Sequence, residues 1–504
     1  MTVAQIPRGA LVGVFYDDGI YLALARSLAE GGGYRLAYLP GAPPGVHYPV
    51  LYPAFLAALW KLGPAFPANV VLMRLGNAVL MGAFALLAAR YLGARTAARA
   101  WLVALVVAVA ATAIPVLAVA TVLFSEPLFL VLVVAACWAA DAARDGEGRR
   151  GLELAALAGL AAGAAMLARS IGVAVLAGVL VALLAARRWR ASAVAAALAL
   201  AAVAPWSLWV REHRGAIDPA IAANYGSYGD LFAQRGASWL SPAGLAEVGR
   251  PLGAIALPPV GQPLRMVLAL LAIGLLLVGL VELVRRAPAA GWMVVAYLAI
   301  VALWPYAPDR FLWAALPWLG IAFALGTASA LERAARLDGH RRMAVRALAL
   351  AGAAIVALSF GAYQARGLAR GAATATQRGI SETFATVLPW VREHTPAGAV
   401  IATEDEALVW LYTGRMAVPS YLWRVRGRES ESLGPDSLRA WLDRSGATHL
   451  VLTGTGSDAA PTINALLGSR PGYLRVARVW PGGIFAFAIA RADTAPPGRG
   501  GARP

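Results

Sequence analysis

The sequence predicts a polytopic α-helical membrane protein of about ten or eleven transmembrane helices, followed by a C-terminal extracytoplasmic α/β domain. Three observations lead there. The 504 residues are 60% hydrophobic and only 14% charged, whereas a soluble domain is about 45–50% apolar and about 25% charged. A series of apolar stretches approaches the ~20 residues that cross a bilayer. Arginines cluster in alternate connections between those stretches, the pattern that fixes membrane orientation.

The formal net charge of +17 would suit a nucleic-acid partner if the basic residues shared a face. They lie instead in short connections between apolar spans, so no nucleic-acid partner is expected. Lys61 is the only lysine. The single cysteine, Cys137, sits inside an apolar run and has no second thiol to pair with.

Along the chain, Tyr16-Asp17-Asp18-Gly19-Ile20-Tyr21 opens an amphipathic run that ends at Gly31-Gly32-Gly33. Residues 49–62 are apolar but too short to span, and read as a re-entrant or interfacial helix. Spans are expected at 69–91, 99–122, 125–142, 152–168, 170–186, 191–210, 266–284, 291–306, 311–330 and 346–364. The near absence of a connection at Arg169-Ser170 implies a tight turn. The 211–265 loop is aromatic, with Tyr225, Tyr228, Phe232 and Trp239, and reads as partly helical, lying over the membrane face.

Beyond 365, helices are expected at 383–393, 404–412 and 436–444, and strands at 399–402, 448–452, 473–479 and 484–490. This alternation suggests a small α/β domain. Residues 491–504 are rich in Pro, Gly and Arg and read as a disordered tail. The resulting domains are 1–68, a first extracytoplasmic loop with interfacial helices; 69–364, the transmembrane domain; 365–490, the α/β domain; and 491–504, the tail.

Arg90/Arg95/Arg99, Arg144/Arg149/Arg150, Arg187/Arg188/Arg190, Arg285/Arg286 and Arg333/Arg336/Arg341/Arg342 occupy alternate connections and are expected on the cytoplasmic side of an inner membrane. The remaining connections, with Asp17-Asp18 and everything after about residue 365, then face outward. No apolar run before Asp17 is long enough to carry it across, so a further span is expected upstream of residue 1.

The candidate site residues all fall on that outer side: Asp17, Asp18, His47, Glu126, Arg169 and Arg310. Carboxylates and arginines on one membrane face suit a substrate with a hydroxyl to deprotonate and a phosphate to hold.

The ordered set is an acidic pair with Tyr21 following, Tyr48-Pro49 and Tyr52-Pro53, Ser-Glu-Pro-Leu-Phe at 125–129, Arg-x-x-Gly at 169–172, Pro205-Trp206, and Arg310 followed by Pro317. Over residues 14–330 it resembles the bacterial GT-C glycosyltransferases, and within them the family 39 and ArnT-like group, which includes protein O-mannosyltransferases. Two features depart from that pattern: the span before the acidic pair is absent, and the pair is Asp-Asp rather than Asp-Glu.

The resemblance implies an inverting transfer of a sugar from a polyprenyl-phosphate carrier to an acceptor hydroxyl on a glycan, lipid or protein. Asp17 would be the base, with Asp18 orienting the acceptor or the base. Glu126 would hold the acceptor or a neighbouring cation. Arg310, Arg169 and His47 would bind the carrier phosphate. The phosphate is already a good leaving group, so no general acid is needed, unlike in a glycosidase. No cofactor is expected; a divalent cation held by Asp17, Asp18 and Glu126 is the alternative, known in more distant GT-C relatives.

Plainer readings exist for each residue. The Asp pair can cap a helix beginning at Gly19. Glu126 can answer a helix dipole. Arg310 can snorkel or pair with Asp309. Arg74 and Asn77 read as a polar contact between helices. Glu404-Asp405-Glu406 reads as a solvated helix start. A transporter or flippase is the competing function, and would place ionisable groups at mid-membrane depth with paired broken helices. A scaffold that presents the C-terminal domain is the third.

Overall fold

The computed structural model describes residues 10–63, 65–96, 100–230, 242–303, 308–426 and 429–491. The expected tail beyond Arg491, the aromatics Phe232 and Trp239, and residues 305–307 lie outside them. The chain divides into two compact units. One takes in residues 48–211 and 236–376; the other assembles Gly9–His47, Glu212–Arg235 and Gln377–Pro504. The second unit is thus discontinuous, drawing on segments that the sequence reading assigned to the first loop and to the 211–265 loop.

The first unit is a helical membrane domain. Among the described residues seven helices are long and apolar enough to cross a membrane, or up to eight if a bent pair is one span. Two shorter apolar helices, Ser170–Ala185 and Pro288–Leu303, fall where the spans 170–186 and 291–306 were expected. Leu51–Leu62 is a separate twelve-residue helix. A helix satisfies every backbone group internally, which lipid demands. Close approach is secured by small residues: a Cβ on Gly279 would meet the carbonyl of Ala322, and one on Gly326 the carbonyl of Leu275. The core between the helices holds Phe84, Tyr91, Phe129 and Trp318.

One expectation needs correction. Residues 99–122 do not form a single straight span: Ala100–Ala111 and Ile114–Thr121 meet at 63°. Pro115 lies in the first turn of the second half, where its missing N–H costs nothing. The groups freed at the break are taken up by Gln364 in helix Gly339–Ala369. Its Nε2 donates to the Thr112 carbonyl at 2.5 Å and its Oε1 accepts from Ile114 N–H at 2.9 Å.

The second unit contains a five-stranded sheet in the order β2-β1-β5-β7-β6. The strands are β1 (Val400–Thr403), β2 (Met416–Pro419), β5 (His449–Leu452), β6 (Leu474–Trp480) and β7 (Ile484–Ile489). β1 runs parallel to β2 and β5, while β7 is antiparallel to β5 and β6. A separate hairpin joins β3 (Trp423–Arg426) to β4 (Glu429–Ser432). The short helix Glu406–Thr413 follows β1. Phe384, Val391, Ile401, Leu408 and Val451 fill the core, together with Val14 from the N-terminal segment.

Candidate functional site

The residues singled out from the sequence form two groups, one in each unit. In the membrane unit Glu126 opens the helix Glu126–Asp145, preceded by the connection Val122–Ser125. Asn77 fixes that connection. It lies in Val70–Arg95, and its Nδ2 donates to the carbonyls of Val122 and Phe124 at 3.0 and 3.3 Å. Tyr52, from the aromatic-Pro segment, donates its hydroxyl to Asn77 Oδ1 at 3.2 Å. Asn77 therefore makes the polar contact between helices, through Tyr52 in Leu51–Leu62, and also anchors a loop.

So held, Glu126 has no exposed surface and accepts from two arginines. Arg169 NH1 lies 2.7 Å from its Oε1. Arg310 Nε lies 2.6 Å from Oε1 and Arg310 NH2 3.3 Å from Oε2. Arg169 is fixed further by Ser125 Oγ at 3.1 Å, and the Arg310 guanidinium carbon lies 3.5 Å from the centre of the Phe124 ring. Arg169 sits in extended backbone just before the one-turn helix Ser170–Gly172, which is the tight turn expected there. Arg310 pairs with Glu126, and the dipole reading of Glu126 understates what it does. Ser125, the first residue of the Ser-Glu-Pro-Leu-Phe motif, and Phe124 just before it also belong to this cluster.

In the second unit the helix starts at Asp17, not at Gly19, and no side chain caps it. Asp18 is fully buried and turns backward. Its Oδ2 accepts from Gly13 N–H at 2.7 Å and its Oδ1 from Phe15 N–H at 2.9 Å. The capping reading is therefore replaced by one in which Asp18 clamps the loop ahead of it. Asp17 is partly exposed. Between the loop and Asp17, Tyr16 adopts φ 64° and ψ −71°, and Asp17 N–H donates to the Phe15 carbonyl at 2.7 Å. This is the rare positive-φ form of the γ-turn, and such a backbone costs about 1–3 kcal/mol and persists only where its surroundings over-determine it.

His47 is buried, with Nδ1 2.7 Å from the Gly226 carbonyl and its ring 4.3 Å from that of Tyr228. The carbonyl requires a proton on Nδ1. Burial lowers its pKa below the ordinary imidazole value, outweighing Gly226 and Asp17, which raise it. Nδ1 of His47 is thus committed to the Gly226 carbonyl.

The acidic run at 404–406 also departs from expectation. Glu406 is 1% exposed, and burial, with Asp405 and Glu404 beside it, pushes its carboxyl well above the usual range. Asp405 is pushed up to about 8 by burial, Glu404 and Asp18. A solvated helix start would do neither.

Both oxygens of Asp18 accept backbone N–H bonds and both oxygens of Glu126 accept from arginine, so these carboxylates are already committed to donors.

No family model matches the sequence, and no curated protein matches it. Solved structures do match. The structure of ArnT from Cupriavidus metallidurans bound to undecaprenyl phosphate superposes with a TM-score of 0.56 at 16% identity, over 98% of this chain and 97% of that one. The apo state of the same protein gives 0.55 at 15% identity. The archaeal oligosaccharyltransferase AglB from Archaeoglobus fulgidus, in complex with an inhibitory peptide and a dolichol-phosphate, gives 0.53 at 13% identity, over 96% of this chain and 71% of that one. Across nearly its whole length, this multi-span membrane protein is built on the GT-C fold that ArnT carries.

Proposed function

We propose that the chain is an inverting glycosyltransferase that moves a sugar from a polyprenyl-phosphate carrier to an acceptor hydroxyl on the outer face of the cytoplasmic membrane. The observation that carries this reading is the cluster of Arg310 and Arg169 on buried Glu126, in a fold whose solved neighbours bind undecaprenyl phosphate and a dolichol-phosphate.

The acceptor O–H gives its proton to Asp17 as its oxygen forms the bond to the anomeric carbon. The bond from that carbon to the phosphate oxygen breaks, and the phosphate leaves with the electron pair. Attack opposite the leaving group inverts the configuration. Arg310 and Arg169 stabilise the charge that grows on the departing phosphate, and Arg310 presents the planar fork that suits it. Glu126 keeps both guanidiniums in place, and Asp18 holds the loop that carries Asp17.

The test is donor consumption from a panel of polyprenyl-phosphate sugars by membranes holding the wild type or Asp17→Asn, with glycan, lipid and peptide acceptors varied. Consumption of one donor by the wild type, lost in a folded Asp17→Asn, supports the reading. Equal consumption by the two removes Asp17 as the base, and no consumption with any donor and acceptor pair removes the reading itself.

A further inference from the structure

Two helices of the membrane unit leave a groove between them at the end remote from Glu126. Helix Asp309–Ala335 finishes there and helix Gly339–Ala369 begins there, joined only by residues 336–338. The groove has a volume of about 390 Å³. Leu331, Glu332 and Ala335 line it from the first helix, and Arg342, Arg346 and Leu350 from the second. Arg310 stands at the opposite end of the first helix, about 32 Å from Leu331 at 1.5 Å per residue, so the groove is no part of the Glu126 cluster.

Arg342, Arg346 and Leu350 recur every four residues and follow one face of their helix over about 12 Å. The charge is nearest the helix end and the leucine is deepest in the span. On the facing wall Leu331 is likewise the lining residue furthest from the helix end. The arginines at this end of the unit fall into two sets. Arg285, Arg286 and Arg333 all lie on Glu282, at 3.3, 3.4 and 3.2 Å. Arg342 and Arg346 are exposed, and neither makes an ion pair among the described residues. Orientation in the membrane asks for arginines at this end, but not for two of them above an apolar floor.

Guanidiniums above leucines match a phosphate above an acyl chain, the chemistry of basic pockets between membrane helices. Glu332 is the one acid of the lining; a carboxylate there accepts from a hydroxyl and disfavours a second negative charge. We propose that this groove binds an anionic phospholipid of the phosphatidylglycerol type. Its phosphodiester lies on Arg342 and Arg346, its glycerol hydroxyls face Glu332, and an acyl chain runs along Leu331 and Leu350. The site does not depend on the glycosyltransferase reading.

Native mass spectrometry of the full chain in detergent tests it, with dioleoyl phosphatidylglycerol and dioleoyl phosphatidylcholine titrated separately. The wild type is expected to hold one phosphatidylglycerol at least about tenfold more tightly than phosphatidylcholine. Arg342→Gln with Arg346→Gln is expected to weaken phosphatidylglycerol about 10- to 30-fold and to leave phosphatidylcholine and the melting temperature unchanged. Arg336→Gln with Arg341→Gln removes the same charge from the same end but outside the groove lining, and is expected to change the affinity by less than about twofold. Equal weakening in the two double variants overturns the proposal, since the charge would then act only as a diffuse field. So does a wild type that holds the two lipids equally. Tighter retention of undecaprenyl phosphate than of phosphatidylglycerol, lost in Arg342→Gln with Arg346→Gln, overturns the choice of occupant.

Discussion

Arg310 grips Glu126 with two atoms of its fork, Nε on one carboxylate oxygen at 2.6 Å and NH2 on the other at 3.3 Å. Arg169 approaches the first oxygen at 2.7 Å. Removing the carboxylate leaves guanidinium charge facing a buried gap. Glu126→Gln is expected to lower stability by about 3–5 kcal/mol, the cost of stripping one member from a buried ion pair. Arg310→Lys keeps the charge without the fork and is expected to slow donor turnover about 10- to 100-fold. Denaturation midpoints and initial rates check the two separately. A full rate in Arg310→Lys would mean the fork is not used on the phosphate.

Asp17 and Asp18 are adjacent but have different surroundings, so their amides should behave differently. Asp17→Asn is expected to cut turnover about 100- to 10,000-fold, the contribution of a general base, with the melting temperature unchanged. Asp18→Asn must point an NH2 at the amide of Gly13 or Phe15, since each oxygen now accepts from one of them. It is expected to lose about 1–3 kcal/mol of stability along with turnover. Identical behaviour of the two variants would refute this division of roles.

The acids at 405 and 406 make stability depend on pH. Both carboxyls are raised on folding, Asp405 to about 8, and Glu406 well above the usual range. In the unfolded chain both ionise near pH 4. An acid raised on folding supports the fold below its unfolded pKa, and that support is lost as pH climbs to the folded value. Stability is therefore expected to decline between about pH 4 and 8. Asp405→Asn with Glu406→Gln is expected to flatten the decline, and melting curves at pH 5, 6.5 and 8 read the slope. A slope that persists in the double variant would place its origin in other groups.

Gln364 satisfies both backbone groups at the break in the 100–121 segment. Gln364→Leu is expected to cost about 1–3 kcal/mol, with the loss confined to the membrane unit. Exchange at Ile114 should rise while β1 and β5 keep their protection; a protected Ile114 amide in the variant would show that the break has another partner.

The spans were legible because a run of apolar residues is a local signal. The bend at Thr112 was only half legible. Pro115 marks the start of a helix, but the residue that makes the break tolerable in lipid is Gln364, distant in sequence. In the candidate site, Glu126 and Arg310 could be selected by residue type and side of the membrane, yet not as each other's partners. The packing of His47 against Gly226 and Tyr228 was not legible because sequence carries no burial. Glu404-Asp405-Glu406 looked solvated for the same reason, whereas Glu406 is buried. Strands β3 and β4 escaped notice because Trp423–Arg426 and Glu429–Ser432 are short and polar, without the apolar alternation that marks a strand.

Order of assembly follows from the Gln364 bridge. Ile114 and its side-chain partner are 250 positions apart, so residues 100–121 enter the membrane long before helix Gly339–Ala369 is made. Until it arrives, an unbroken helix that satisfies its own carbonyls and amides is the lower-energy form in lipid. The bend is then a late event, made when the last membrane helix docks, and the geometry of the segment leading to Glu126 is completed only once the chain has nearly finished crossing.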